Sequence, residues 1–200
     1  MIGVIDYKAG NGPSVKNALD HLQIASALTA DADTLRACSH IILPGVGSAG
    51  ATMDSLRELG LIPVLEEHVF DKKKPFLGIC VGLQVLFEKS EEDDATCLGW
   101  LKGDVVRFDE GAVRVPQIGW NSARFTKRLP ILEGLGDEEY FYFVNSYHVR
   151  PAEEKIVLAT TEYGAPFCSM VAQENLYASQ FHIEKSGEVG LRLLKNFARL

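Results

Sequence analysis

The sequence predicts a single-domain α/β fold, with a central, mostly parallel sheet that is flanked by helices and continues into an antiparallel or mixed extension. Short apolar runs alternate with helical patterns through the first half of the chain, which is typical of βαβ units. The second half contains consecutive strand-like runs joined by short turns. We find no internal repeat and no linker-like segment in the 200 residues, so one domain is expected to cover 1–200.

The first-half elements follow from apolar periodicity. Strands are predicted at 2–5, 24–28, 41–43 and 76–79, and helices at 14–22, 48–69 and 82–89. Such alternation implies a parallel sheet that is covered by helices on both faces. The extension is predicted to contain strands at 98–108, 113–118, 140–144, 156–160, 167–172 and 176–180, and a final helix is predicted at about 186–199.

Charge and hydropathy exclude several classes of protein. The formal net charge is -7, and the longest basic run is Lys72-Lys73-Lys74, which argues against nucleic acid or an anionic membrane as the main partner. The first residues lack the basic flank and long apolar stretch of a signal peptide, and no segment approaches the length of a membrane span. We therefore expect a cytosolic protein.

The four cysteines are widely spaced, without a C-x-x-C pair or a histidine at zinc-ligand spacing. We expect no metal and no cofactor. Three of them, Cys38, Cys97 and Cys168, are interpreted as small buried hydrophobic residues. Cys80 differs because of its neighbours.

Cys80 lies where an apolar strand meets a helix, between Gly78 and Gly82. Small flanking residues permit the tight strand-to-helix turn that exposes a nucleophile at the carboxyl edge of a sheet. The N-terminus of the following helix favours a thiolate and can receive an oxyanion. A buried cysteine at a strand end is the simpler reading of this segment alone.

A second segment supports the catalytic interpretation. His182 and Glu184 are two residues apart in a strand that enters a loop, so both side chains can face one site. A thiol, an imidazole and an orienting carboxylate supply what acyl transfer requires: a nucleophile, a proton shuttle and a group that fixes its tautomer. The sequence therefore predicts Cys80, His182 and Glu184 as a catalytic triad.

These residues resemble the motifs of a known family. Gly78-Ile79-Cys80-Val81-Gly82-Leu83-Gln84 and Phe181-His182-Ile183-Glu184 are similar to the triad segments of class I glutamine amidotransferases. Within that family, the resemblance is closest to glutaminase subunits of imidazole glycerol phosphate synthase, and it is carried by Asp6-Tyr7-Lys8-Ala9-Gly10-Asn11, Pro44-Gly45-Val46-Gly47 and Pro116-Gln117-Ile118-Gly119-Trp120-Asn121. It covers essentially the whole chain.

The resemblance implies that L-glutamine is hydrolysed to L-glutamate and ammonia, and that a (β/α)8-barrel cyclase receives the ammonia in histidine biosynthesis. We expect that cyclase to be a separate chain, forming a heterodimer with this one. The resemblance also assigns residues: Gln84, Ser146 and Tyr147 would hold the backbone ends of the glutamine. Four residues would lie towards the cyclase, namely Tyr7, Asn11, Trp120 and Lys185.

An oxyanion site is expected between the elbow and the loop at Pro44-Gly45-Val46-Gly47. Val81 can supply one N–H donor, and Val46 can supply the second. Because Gly45 and Gly47 flank Val46, that peptide should turn easily. We therefore expect the isolated subunit to hydrolyse glutamine poorly until the cyclase and its nucleotide are bound.

Three positions depart from the family pattern. Ile183 replaces the usual proline, while Gln117 and Asn145 stand where histidine is common. Two other enzyme classes stay open at this stage: a glutaminase subunit of another synthase, or a cysteine hydrolase of γ-glutamyl or peptide bonds. A non-catalytic module with the same fold would be expected to lack a triad residue, and none is missing.

Overall fold

The computed structural model describes residues 1–7 and 11–200. Its strands are β1 (Ile2–Ile5), β2 (Ser26–Thr29), β3 (His40–Leu43), β4 (Phe76–Ile79), β5 (Lys89–Ser90), β6 (Ala95–Thr96), β7 (Gly103–Arg107), β8 (Gln117–Phe125), β9 (Glu138–Asn145), β10 (Tyr147–Pro151), β11 (Val157–Tyr163), β12 (Ala165–Gln173) and β13 (Leu176–Ser179). Its α-helices are α1 (Gly12–His21), α2 (Ala32–Ala37), α3 (Ala49–Glu58), α4 (Ile62–Glu66), α5 (Val81–Gln84) and α6 (Gly187–Phe197).

One mixed sheet organises these elements. Its main path runs β2-β1-β3-β4-β13-β12-β10-β7-β5-β6, and the first five strands are parallel. From β13 onwards most pairs are antiparallel, and β11, β8 and β9 continue the sheet on a branch from β12. The predicted α/β fold, with a mostly parallel centre and an antiparallel extension, is confirmed.

The parallel strands form because their residues are buried and apolar. Every residue of β1 and β4 is buried, as expected for strands covered by helices on both faces. Local capping fixes two of the helix starts. The Asp31 side chain accepts a hydrogen bond from Thr34 N at the start of α2, and Ser48 accepts one from Ala51 N at the start of α3.

The predicted helix at 82–89 is wrong in length, because α5 ends at Gln84. After that residue, a segment more distant in sequence uses the carbonyl groups that a longer helix would need. Leu98 N, Leu101 N and Gly99 N donate to the carbonyl oxygens of Val85, Leu86 and Phe87 at 2.9, 2.9 and 2.8 Å. A tertiary contact therefore overrides the local helical pattern.

Other boundaries also differ from the prediction. The single helix expected at 48–69 is divided at Gly60, whose φ of +63° ends α3, and is followed by α4 and a π-helical turn at Glu67–Asp71. The strand expected at 113–118 begins later in the sequence, since β8 covers Gln117–Phe125. Helix α2 and strand β10 were not assigned from periodicity. No helix in the described ranges is long and apolar enough to cross a membrane.

Chain topology brings the predicted site together. β1, β3, β4 and β13 are parallel neighbours in the sheet, so their carboxyl ends meet at one edge. The segments that follow these strands carry Asn11, the loop at 44–47, Cys80 and His182 respectively. Residues far apart in sequence are thereby placed around one cleft.

Candidate active site

Cys80 occupies a strained elbow between β4 and α5. Its φ of 55° and ψ of -109° are rarely adopted by a residue with a side chain. Glycines make the turn possible: a Cβ on Gly78 would lie 2.5 Å from the carbonyl oxygen of Gly82, and one on Gly82 would lie 2.1 Å from that of Leu43. Because Cys80 N also donates to Ser179 O at 2.8 Å, the elbow is fixed against β13.

His182 and Glu184 form a buried pair beside the elbow. His182 Nδ1 lies 2.9 Å from Glu184 Oε1, and both side chains are withdrawn from solvent. The backbone of His182 is held on both sides, since His182 N donates to Tyr142 O at 2.9 Å and Ser186 Oγ donates to His182 O at 2.6 Å. The geometry fixes the imidazole in one orientation.

Electrostatics favour a protonated imidazole in the resting site. Burial alone would lower the pKa of His182, but hydrogen bonds to Cys80 and Glu184, together with their charges, raise that pKa to about 10. Burial likewise acts to raise the pKa of Glu184. The pKa of Glu184 is nevertheless below its usual range, because His182 contributes a hydrogen bond and a charge, and Asn11 donates a second hydrogen bond. The imidazolium is thus stabilised between a sulfur and a carboxylate.

Two residues expected to lie towards a partner are instead buried inside the chain. Asn11 Nδ2 donates to Glu184 Oε1 at 2.9 Å and lies 3.4 Å from His182 Nδ1, which makes Asn11 a support for the triad. The Tyr7 hydroxyl donates to Pro44 O at 2.7 Å, and burial raises the pKa of Tyr7 to about 12. Between them, Lys8, Ala9 and Gly10 of the same motif lie outside the described residues.

Gln180 is a site residue that the sequence analysis missed. It is fully buried, and its Nε2 lies 3.6 Å from Cys80 Sγ. Its Oε1 accepts a hydrogen bond of 3.1 Å from Gln84 Nε2, which also donates to Tyr147 O at 3.3 Å. An amide chain therefore connects the segment containing Tyr147 to the nucleophile. The feature of the sequence that could have indicated Gln180 as a site residue is its position two residues before His182.

A cavity of about 260 Å³ opens on Cys80 and His182. The predicted substrate residues Gln84, Ser146 and Tyr147 all line it. Glu92, which was not among the predicted site residues, also contributes a carboxylate to the lining, and burial raises the pKa of this carboxyl. Because both hydrogen bonds from Gln84 Nε2 point into the chain, its carbonyl oxygen is the group left to meet a ligand.

The loop after β3 packs directly on the elbow. Val46, Gly47 and Val81 line the cavity together with Cys80. Gly45 has to be a glycine, since a Cβ there would lie 2.7 Å from Gly82 N and 2.8 Å from the Val81 Cβ. Gly47 has a φ of +97°, which a residue with a side chain rarely adopts. Glycine is thus required before Val46 by close packing, and it is favoured after Val46 by the backbone conformation.

The β8–β9 hairpin carries an exposed apolar face next to this cavity. Trp120 is 57% exposed, and Ile118 and Tyr140 are 65% and 64% exposed. Trp120 also makes an edge-on contact with Tyr142, its cross-strand neighbour. Lys185 is exposed as well, in the turn that follows His182. Single exposed apolar residues are ordinary, but three on one hairpin mark a surface suited to another protein.

The remaining cysteines differ from Cys80 in their surroundings. All four are free, and burial raises the pKa of Cys97 to about 11 and that of Cys168 to about 12. Burial also raises the pKa of Cys38. In residues 1–7 and 11–200, no group of three or more His, Cys, Asp or Glu residues could hold a metal ion. Cys80 is the cysteine that meets both the cavity and a histidine.

Comparison with known proteins identifies the class. The glutamine amidotransferase class-I family matches residues 4–200. A crystal structure of a glutamine amidotransferase superimposes with a TM-score of 0.78 at 24% identity, covering 100% of this chain and 99% of the other. The structure of PurLQS from Thermotoga maritima superimposes with a TM-score of 0.80 at 17% identity, covering 99% of this chain and 97% of the other. The chain is therefore a class I glutamine amidotransferase.

Two relatives define the family within that class. The imidazole glycerol phosphate synthase subunit HisH of Methanocaldococcus jannaschii is 45% identical over 204 residues, with 100% of each chain covered. Its namesake from Desulfovibrio desulfuricans is 46% identical over 204 residues, with 98% of this chain and 93% of the relative covered. The chain belongs to the family of HisH subunits, which confirms the resemblance found in its sequence.

Proposed function

We propose that this chain hydrolyses L-glutamine to L-glutamate and ammonia, with Cys80 as nucleophile, and supplies the ammonia to a (β/α)8-barrel cyclase that makes imidazole glycerol phosphate. The observation that supports this most strongly is that Cys80 and His182 line one cavity, with Glu184 hydrogen-bonded to His182 behind them. Membership of the HisH family supports the choice of partner.

The chemistry follows from the protonated imidazole. The Cys80 thiolate attacks the side-chain amide carbon of glutamine, and the carbonyl oxygen becomes an oxyanion beside the N–H groups of Val81 and Val46. When the intermediate collapses, His182 gives its proton to the departing nitrogen, which leaves as ammonia. The neutral His182 then takes a proton from water, which attacks the thioester and releases glutamate and the thiolate.

The cavity offers groups for both ends of an amino acid. Glu92 provides a carboxylate for the α-ammonium group, and the Gln84 carbonyl oxygen can accept from the same group. Ser146 and Tyr147, which also line the cavity, would hold the α-carboxylate. A small cavity with charged and amide groups favours free glutamine over a peptide as substrate.

The nucleophile can be tested with one substitution. Cys80→Ala should abolish glutamine-dependent synthesis by the complex, a loss of thousands-fold or more in hydrolysis, while synthesis from added ammonium salts continues. Cys97→Ala is the matched control and should keep both activities. An electrophilic glutamine analogue should label Cys80 in mass spectrometry. Preferential labelling of Cys38, Cys97 or Cys168, or activity in Cys80→Ala, would contradict the assignment.

Control by the partner is a separate proposal. A lost oxyanion donor costs roughly 3–4 kcal/mol, a factor of hundreds to a thousand in rate. Since glycines flank Val46, a turn of that peptide could supply or remove this donor, driven by the bound cyclase and its nucleotide. The rate of glutamate release should be lowest for the subunit alone, higher for the complex with the cyclase, and highest for the complex with nucleotide. Equal rates in all three preparations would refute control by the partner, but they would not contradict the assignment of the triad.

A further inference from the structure

Two buried amide side chains face each other at the open end of the β8–β9 hairpin. Gln117 is paired with Asn145 across the strands, and their exposures are 3% and 6%. They lie on the inward face of the hairpin, whereas Ile118 and Trp120 occupy its outward face. Nothing in the proposed hydrolysis uses this amide pair.

The amide pair leaves hydrogen-bonding capacity unused. Within the described residues, neither Gln117 Oε1 nor Gln117 Nε2 has a hydrogen-bond partner, and Asn145 Oδ1 has none either. The Asn145 Nδ2 group is already engaged, since it donates to Tyr147 O at 2.9 Å. Buried polar atoms without partners are costly, and three on one cross-strand pair indicate a small polar molecule beside that pair.

The unmatched atoms define the chemistry of that molecule. Two are carbonyl oxygens, which accept hydrogen bonds, and the third is an amide nitrogen, which donates them. The ligand must therefore carry at least two N–H or O–H groups and one lone pair, and it must be uncharged. Ammonium does not fit, since it has no lone pair for Gln117 Nε2, whereas ammonia does.

The amide pair adjoins the place where ammonia would be released. Asn145 and Pro116, which precedes Gln117, line the same cavity as Cys80. The carbonyl oxygen of Val144, the residue before Asn145, lies 3.9 Å from Cys80 Sγ. Ammonia released at Cys80 would therefore find the polar atoms of the amide pair nearby, at the end of the β8–β9 hairpin.

We propose that Gln117 and Asn145 form a binding site for neutral ammonia, between the cavity and the exposed face of the hairpin. The proposal rests on the proposed glutaminase function. Water has the same hydrogen-bonding chemistry and fills the site when no glutamine is being hydrolysed. Holding ammonia without a proton preserves the lone pair that a receiving enzyme needs.

The test measures product formed per glutamate released, using the complete complex with its cyclase and nucleotide. Gln117→Met, which keeps the length but removes both amide atoms, should lower this ratio about fivefold, as expected when a neutral hydrogen bond is lost. The missing ammonia should appear free in solution. Gln173→Met, the same substitution at an exposed position in β12, should keep the ratio of the unmodified complex.

A second variant, Gln117→Glu, separates loss of the binding site from a folding defect, because glutamate has the same shape as glutamine. A carboxylate would hold the nitrogen as ammonium, so the ratio should again fall. If both variants keep the ratio of the unmodified complex, the proposal is overturned and the site holds only water. If the unmodified complex releases no glutamate at all, the proposed function fails instead, and the two failures are thus distinguishable.

Discussion

Gln180 contacts the proposed nucleophile, although it takes no part in the proposed reaction. Its Nε2 points at Cys80 Sγ from 3.6 Å, inside a fully buried position. A donor at that place stabilises a thiolate more than a thiol, because hydrogen bonds to charged groups are the stronger ones. We therefore expect Gln180 to act as a positioning residue for the sulfur.

Gln180→Leu removes this donor, and Gln180→Glu replaces it with a negative charge. We expect slower alkylation of Cys80 near neutral pH by about 10-fold for Gln180→Leu, and by more for Gln180→Glu, because a charge-assisted hydrogen bond contributes about 1.5–3 kcal/mol. The measurement is the rate of alkylation of Cys80 in each protein at one fixed pH near neutral. Equal rates for all three proteins would rule out the role.

Side-chain roles of this kind were only partly accessible from sequence. The meeting of Cys80, His182 and Glu184 could be predicted from two motifs, although Glu184 reaches His182 from a 3-10 turn at Ile183–Lys185 and not from the expected extended segment. The contacts of Asn11 and Gln180 depend on side-chain orientation and on which strands become neighbours, which no local pattern specifies. The family resemblance led us to expect Asn11 and Tyr7 towards a partner, whereas the structure buries Asn11 against Glu184 and Tyr7 against Pro44.

At the scale of elements, the π-helical turn Glu67–Asp71 buries a histidine that the reaction does not use. His68 Nε2 donates to Pro75 O at 3.1 Å, just before β4 begins. Burial lowers the pKa of His68 to about 4, opposed by that hydrogen bond and assisted by the charges of Lys74, His40 and Lys72. The folded protein therefore holds His68 neutral.

This burial makes stability depend on pH. In the unfolded chain the pKa of histidine is about 6.5, so between about pH 6.5 and pH 4 the unfolded state binds the proton more readily. The free energy of unfolding should fall as the pH decreases through that window, and His68→Gln, which keeps a donor for Pro75 O, should flatten the fall. Urea unfolding of both proteins across the window measures this. An equal fall in both would show that other groups are responsible.

Element boundaries were predictable where local pattern and tertiary structure agree. The strands 2–5 and 76–79 were placed correctly because a continuous apolar run must be buried on both faces. Helix α5 was overextended because the segment 98–101 that takes its carbonyl groups is remote in sequence. Strands of the extension shifted by several residues because hairpin register depends on cross-strand pairs.

For the molecule as a whole, the exposed face of the β8–β9 hairpin is an apolar surface that the described residues leave uncovered. Ile118, Trp120 and Tyr140 are each more than half exposed, beside the cavity that holds Cys80. Aromatic residues in such positions commonly dominate the binding energy of an interface. A cyclase bound here would lie against the hairpin and close to the cavity that contains Cys80.

Trp120→Ala should therefore weaken the complex by about 30-fold or more in Kd, corresponding to about 2 kcal/mol or more. Leu59→Ala, which removes an exposed apolar side chain outside the hairpin, should leave the affinity nearly unchanged. Isothermal titration of each variant with the cyclase gives the comparison. An unchanged affinity for Trp120→Ala would place the partner on another surface.

The position of β13 also bears on how the protein is made. This strand, the last of the thirteen in chain order within the described ranges, lies in the middle of the sheet between β4 and β12. During synthesis, Cys80 leaves the ribosome about a hundred residues before the strand that carries the chain to His182. A nascent chain thus holds its thiol without a proton shuttle, and ammonia production begins only once folding is complete.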